Sequence, residues 1–305
     1  MEKVPVLFII FNNISFIKRC FAPIRDYRPN KLFIACDGAR KDRVGELEKI
    51  NEVRDYVLTS VDWDCEVKTM FLDTNIGPAK AIHSFLKWYF SFVDYGIILE
   101  HDCLVHRDFF DFCAEMLIRY KDNKDIYTVS GYNVLGKSNV KNSYFFTYTQ
   151  QLWAWGAWKR TVEDYDIYLK DYSLEEFERN ADKVLKFKHE KQAFKEKFLS
   201  MKKQGYNTWD IQLLFYTWRH GGKNIEPKCN LVSNIGFVSD SLHSKNTNSF
   251  LSNNETYPIL PLSHPTDTEV NDEEEEKIYK KFWYKSYLQL IARKIDRLFF
   301  MKSKF

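Results

Sequence analysis

Four short apolar runs, "VPVLFIIF", "KLFIACD", "CEVKTMFL" and "YGIILEHD", are separated by three longer helical stretches within the first 130 residues. The separators are the segment to about Tyr27, the polar "RVGELEKINEVRDYVLTSV" and "GPAKAIHSFLKWYFSFV". Apolar β-rich runs that alternate with helices predict an α/β fold: an open, mainly parallel sheet with helices on both faces. In such sheets a ligand sits outside the carboxyl ends of the strands. The polar residues fall at those ends: Asn12 and Asn13 after the first run, Asp37 and Gly38 after the second, Asp73 to Gly77 after the third, and Glu100 to Asp102 after the fourth. Four successive strand ends therefore converge on one polar crevice.

The chain has 305 residues, 45% of them hydrophobic, which is enough for one large or two small domains with a proper core. Lysine and arginine total 45 against 42 acids, a net charge of +3, so no overall field points to a nucleic acid, and no such partner is expected. Six cysteines (Cys20, Cys36, Cys65, Cys103, Cys113 and Cys229) form no CxxC pair, and several sit in apolar runs, as reduced core residues of a cytoplasmic protein do. The opening "MEKVPVLFIIF" places an acid second and has no small-residue cleavage site after it, so it reads as a first strand and not as a signal peptide. No apolar stretch approaches the roughly 18 residues of a membrane span. A soluble or membrane-peripheral protein is expected.

Beyond "IYTVSGYN" the rhythm changes to an aromatic segment, "SYFFTYTQQLWAWGAWKR", then a charged helical stretch from about Leu174 to Gln204, the helix "WDIQLLFYTWRHGG" and the polar loop "NLVSNIGFVSDSLHSKNTNS". Residues 1–130 are read as the donor-binding half of a domain spanning 1–256, and 131–256 as its acceptor-binding half. The prolines of "YPILPLSHP" mark a linker over 257–271. In 272–305, "DEEEEK" places acids where a helix N-terminus favours them. Residues 277–305 then hold nine basic and eight aromatic residues with one acid. That composition predicts a C-terminal basic amphipathic helix able to lie on an anionic membrane surface, with a helix packed on the domain as the alternative.

"GYNVLGKS", residues 131–138, fits G-x-x-x-x-G-K-[ST] letter for letter and follows a strand-like run. A phosphate loop needs a helix directly after it, whereas "NVKNSYFFTYT" has no helical period. No G-x-G-x-x-G and no G-x-S-x-G occurs, so neither a dinucleotide fingerprint nor a hydrolase nucleophile elbow is present. "EHD" is different in kind. Glu100 and Asp102 lie two apart on an extended chain and share one face, where a hard divalent cation would neutralise them and bridge phosphate oxygens. A solvated strand end is the plain alternative.

The stretch "LDTNIGPAKAIHSFLKWYFSFVDYGIILEHDCLVHRDFFDFC" resembles the donor-binding half of inverting GT-A glycosyltransferases related to N-acetylglucosaminyltransferase I. In that family an E-D-D or D-x-D motif ends a strand and is followed by a P-D-F-F-like element, here "HRDFF". "ACDGAR" is similar to the family's nucleobase-binding strand end, "NTWDIQLLF" to its tryptophan-aspartate segment, and "LVSNIGFVSDSLHS" to the late loop over the diphosphate. The order of these segments runs from about Val4 to His243.

The resemblance implies a GT-A (Rossmann-like) fold and transfer of a hexosyl or N-acetylhexosaminyl group, with inversion, from a nucleoside diphosphate donor, a UDP-sugar first among them. It implies Mn2+ or Mg2+ as cofactor and a glycan or lipid-linked hydroxyl acceptor, as in surface polysaccharide synthesis at the inner face of the cell membrane. It makes Asp102 the metal ligand with His243 beside it, and Asp210 the catalytic base. Asp37 then lies beside the nucleobase, and Glu100 is a second contact or a structural acid. A histidine, His101, stands where the family has the middle acid of the triplet.

The residues themselves add Asn12, Asn75, Gly77 and Lys80 as donor contacts at strand ends and at a helix N-terminus. Trp153, Trp155 and Trp209 are candidate stacking faces for an acceptor, with Gly156 allowing close approach. Each has a structural alternative: tryptophans as core, Asn75 to Lys80 as a strand-to-helix turn, and Asn207, Thr208 or Asp210 as a helix cap. Three other functions are weighed: a noncatalytic nucleotide- or sugar-binding module, a P-loop NTPase through 131–138, and a nucleotidyltransferase. "NNISF" after the first strand lacks the glycine- and arginine-rich loop of the last of these.

Overall fold

The computed structural model describes residues 3–204, 208–237 and 251–283. Strands β1 (Val6–Ile10), β2 (Lys31–Cys36), β3 (Glu66–Phe71) and β4 (Tyr95–Glu100) alternate with helices α1 (Ile14–Tyr27), α2 (Glu46–Thr59) and α3 (Pro78–Phe90), as the four apolar runs imply. The chain continues through β5 (Cys103–Val105), α4 (Phe109–Arg119), β6 (Ile126–Ser130), β7 (Tyr144–Thr147), β8 (Trp155–Trp158), α5 (Leu174–Val184), α6 (Lys188–Gln204), α7 (Asp210–Arg219), β9 (Lys223–Pro227), β10 (Val232–Asn234) and α8 (Asp272–Ile278).

One eight-stranded sheet runs in the order β3-β2-β1-β4-β8-β6-β9-β7. β1 pairs in parallel with both β2 and β4, and β6 in parallel with β9, while β8 and β7 run against their neighbours. The expected mainly parallel α/β sheet with flanking helices is therefore present. Its two antiparallel members come from the aromatic segment. β8 enters between β4 and β6 as a four-residue strand, "WGAW", which has no strand-like length of its own in the sequence.

Each face of the sheet has its own core. Val6, Phe8 and Ile10 alternate onto the face covered by Ile17 and Phe21 of α1, Val53 of α2 and Phe109 of α4. Leu7 and Ile9 point to the other face, against Phe85 of α3, Phe177 of α5 and Phe215 of α7. A strand buried on both sides must be apolar throughout, which is why β1 reads as an unbroken run. Asn13 starts α1 by accepting the Phe16 amide at 3.1 Å, and Pro78 starts α3 after Gly77, whose φ is +83°.

The chain reverses after β1. β2 and β3 build outward on one side of β1 and β4 returns on the other, so the topological switch point lies between the carboxyl ends of β1 and β4. A separate antiparallel pair, β5 with β10, sets Asn234 opposite Cys103 and so brings the late loop back to the end of β4.

Residues 257–271 differ from the expected linker. Ser143 and Ser263 exchange hydrogen bonds, His264 contacts the Tyr144 hydroxyl and Glu115, and Val270 bridges to Phe146, so the segment is a strap along the edge strand β7. The side chains of Ser263 and His264 have their partners in the domain. α8 packs back as well, with Ile278 and Tyr279 buried in the two cores. The basic stretch from 284 to 305 lies outside the described residues. No described helix is long and apolar enough to cross a membrane.

Candidate functional site at the strand ends

Asp102 follows β4 by two residues and is half-buried. Its backbone carbonyl accepts the Ile235 amide at 2.9 Å, and its carboxylate Oδ1 lies 3.5 Å from the Cys103 thiol, which donates to it. A Cβ built on Gly236 would stand 2.3 Å from Asp102 Oδ2. The glycine therefore leaves the space that the carboxylate fills.

Glu100 ends β4, opposite Ile9 of β1. Burial pushes its carboxyl well above the usual range, and the charges of Asp102 and then Asp210 push it the same way. That third acid starts α7 and is near enough for its charge to act on Glu100. None of the three forms an ion pair among the described residues. His101 sits between the two strand-end acids, and burial lowers its pKa against the opposing pull of Asp102.

Asp210 is exposed at the first turn of α7, where the helix dipole favours an anion. It is the first helical residue, and Trp209 holds the cap position. Its carboxylate is therefore open to solvent although Trp209 before it is buried. Its position is held from the backbone: Gln150 Nε2 donates to the Asp210 carbonyl at 3.2 Å, and the Tyr165 hydroxyl donates to the Trp209 carbonyl at 2.8 Å.

The tryptophans divide. Trp155 is 1% exposed and stacks on Trp209 at 5.6 Å between ring centroids, so both belong to the core that carries α7. Gly156 pairs with Ile97 and Val129 in mid-sheet and opens toward Leu117, so the close approach it allows is by a core side chain. Trp153 is turned the other way. Ala154 between the two tryptophans has φ +53°, a region costly for alanine, and the reversal leaves the Trp153 ring partly exposed, 4.5 Å from Tyr132 and 5.7 Å from Phe237. Phe237 follows Gly236, so Trp153 stands beside the acid that Gly236 covers.

On the β2–β3 side, Asp37 does not offer a free carboxylate. Its Oδ1 accepts the amides of Gly38 (2.8 Å) and Ile76 (3.0 Å), and its Oδ2 accepts that of Gly77 (3.0 Å). Asn75 reinforces this clasp by donating to the Gly38 carbonyl at 2.9 Å. These residues lock two strand-end loops together, while Lys80 stands exposed one turn into α3. Asn12, after β1, donates to Glu46 at 2.7 Å. His243 lies outside the described residues, although the chain that leads to it passes directly over Asp102.

"GYNVLGKS" is a turn and not a phosphate loop. No helix follows: β7 is the next element, Asn133 donates to Ser138 Oγ and the Pro227 carbonyl, and Lys137 lies 3.7 Å from the Tyr257 ring centroid. Gly236 and Tyr132 are site residues that the sequence did not reveal. Gly236 had one signal, a glycine directly after the short "LVSN" run.

No protein-family profile matches this chain, and neither does any curated protein sequence. Among solved structures it is similar to the mannosyltransferase PcManGT from Pyrobaculum calidifontis in complex with GDP-Man and Mn2+, at 11% identity and a TM-score of 0.39 over 72% of this chain and 70% of that one. It is similar to the glycosyltransferase GlyE of Streptococcus pneumoniae TIGR4, at 12% identity and 0.33, over 68% of this chain and 45% of that one. It is also similar to HddC from Yersinia pseudotuberculosis, at 8% identity and 0.32, over 53% and 80%. Likenesses of this size fix neither a family nor an activity.

Proposed function

We infer that the chain is a metal-dependent glycosyltransferase, moving a sugar from a nucleoside diphosphate donor, UDP-linked, to a hydroxyl of a glycan or lipid-linked acceptor. The observation that carries this reading is that Glu100 and Asp102 stand at the carboxyl end of β4, at the switch point of the sheet, with Asp210 at the start of α7 and no cation paired to any of the three among the described residues. Unneutralised acids so placed are costly unless a ligand uses them.

The donor set suits a hard divalent cation. Among the described residues no three His, Cys, Asp or Glu side chains gather closely enough to cage a metal alone. Mn2+ or Mg2+ is commonly held by one or two carboxylates, the rest of its shell coming from phosphate and water. Asp102 would hold it, with Glu100 as second contact and His243 as a candidate from the late loop. A bound cation supplies charge to offset that of the leaving diphosphate.

The chain's own residues do the rest. Asp210, exposed at the start of α7, takes the proton of the acceptor hydroxyl, which is a poor nucleophile until that proton is removed. Trp153 offers a partly exposed ring on which the apolar face of a sugar stacks, against Phe237, the neighbour of the Gly236 that meets Asp102. Attack from the face opposite the diphosphate inverts the anomeric carbon. Lys80 and the α3 N-terminus add positive potential beside the phosphates. A membrane-associated acceptor agrees with the basic, aromatic composition of 277–305.

Calorimetric titration of UDP with and without manganese tests this. Wild-type protein is expected to bind UDP only with the metal, and Asp102→Ala to abolish that binding. Metal-independent binding, or binding untouched in Asp102→Ala, would overturn the assignment.

A further inference from the structure

A second charged cluster occupies the same end of the sheet, toward β2. Glu46 opens α2 yet is only 4% exposed. Its carboxylate accepts from Asn12 Nδ2 (2.7 Å), from the Arg40 amide (2.7 Å), from Arg40 Nε (3.0 Å to Oε2) and from Arg40 Nη2. A carboxylate buried this deeply would be costly without partners, and here one side chain joins the loop after β1 to the loop after β2.

The consequence falls on Arg40. Glu46 holds one edge of the guanidinium through Nε and Nη2, and the Phe11 ring lies 5.4 Å from its centre. The side chain keeps 26% of its surface. A planar cation fixed at one edge, next to an aromatic ring and still partly open, is a stacking surface that needs no ordering when a ligand arrives. Asp37, the acid expected beside the base, is committed to three backbone amides. The ends of β2 and β4 lie two strand spacings apart, roughly 10 Å, a gap that a ribose and diphosphate can bridge.

We propose that Arg40, held in one plane by Glu46, is the platform on which the base of the donor nucleotide stacks. It acts as a positioning residue far from the reacting atoms. The inference rests on the glycosyltransferase reading and adds where the donor's base is read. Flat guanidinium groups stack on bases, whereas an ammonium of equal charge does not offer a plane.

The test compares UDP with 5,6-dihydro-UDP, whose saturated base is puckered but which keeps the same ribose, diphosphate and carbonyl groups. Both are titrated with manganese into the full chain as wild type, Arg40→Lys, Glu46→Gln and Asp102→Ala. Wild type is expected to prefer UDP by roughly tenfold, and both Arg40→Lys and Glu46→Gln to reduce that preference below about twofold while dihydro-UDP affinity holds. Equal binding of the two ligands by wild type, a preference that survives in Arg40→Lys, or a parallel loss of both ligands would each overturn the proposal. If wild type binds UDP through Asp102 without preferring the flat base, only the Arg40 assignment falls. If it binds no UDP with manganese, that assignment and the proposed function fall together.

Discussion

Gly236→Ala tests whether the late loop shapes the acid at the end of β4. The added Cβ would stand 2.3 Å from Asp102 Oδ2 and 3.0 Å from Asp102 Cβ. A methyl carbon and a carboxylate oxygen need more than 3 Å, so something must shift by about 1 Å. The backbone is not free to give way. Asn234 Oδ1 accepts the Gly236 amide at 2.8 Å, the Ile235 amide is bound to the Asp102 carbonyl, and β10 is registered on β5. Among the described residues the carboxylate has only the weak Cys103 thiol bond to hold it, so the carboxylate moves. A displacement of that size at a reacting centre costs on the order of a hundredfold in rate, and the overpacking costs about 1–3 kcal/mol of stability. Manganese-dependent UDP affinity, transfer rate and melting temperature are the readouts. In an Asp102→Ala background the 2.3 Å clash is gone and only the close approach to Cβ at 3.0 Å remains, so the effect on melting temperature should be clearly smaller. Wild-type manganese-dependent affinity in Gly236→Ala, or an equal loss of stability in both backgrounds, would refute the reasoning.

Asp210→Asn should leave UDP binding intact while lowering kcat by roughly 10²–10⁴-fold, and a comparable loss of UDP affinity would assign the acid to the donor instead. Trp155→Ala removes a core ring stacked on Trp209 and should cost about 3–5 kcal/mol in denaturant unfolding, whereas Trp153→Ala should spare stability and raise the acceptor KM. Burial, and then the charge of Glu275, drives the Glu226 carboxyl far above its ordinary value, so the folded state keeps a proton that the unfolded state releases. Wild-type stability should therefore fall as pH rises above the ordinary carboxyl range, and it should fall less in Glu226→Gln. Melting curves from about pH 4.5 to pH 8 check this, and a gap between the two proteins that stays constant across that range would count against it.

The donor half was legible because its rules are local. Continuous apolar runs such as "VLFII" can only be strands covered on both faces, and the helices between them carry caps and apolar stripes of their own, so Asn12, Asp37, Asn75 and Glu100 fell at strand ends by counting alone. The acceptor half was less legible because long-range pairing decides it. The burial of Trp155 and the exposure of Trp153 depend on β8 entering antiparallel between β4 and β6 and on the turn at Ala154, and neither leaves a period in the sequence. The strand end "ACD" was legible, but the amides that Asp37 accepts were not, since two of the three lie 39 and 40 residues downstream.

That distance has a consequence for how the site is made. Asp102 is shaped by Gly236 and Asp210 is held through Gln150 and Tyr165, so neither acid is positioned by its own loop alone. Bringing the acids together has a cost, and Glu100 shows it in a carboxyl raised first by burial and then by the charges of Asp102 and Asp210. Packing of the two cores overcomes it: β10 docks on β5 within the core that contains α4, and α7 docks within the core that contains α3. The crevice is therefore completed only when both faces of the sheet are covered. On this argument, a cavity made on either face, far from the crevice, should weaken manganese-dependent UDP binding before it unfolds the protein, because the acids lose their enforced proximity first.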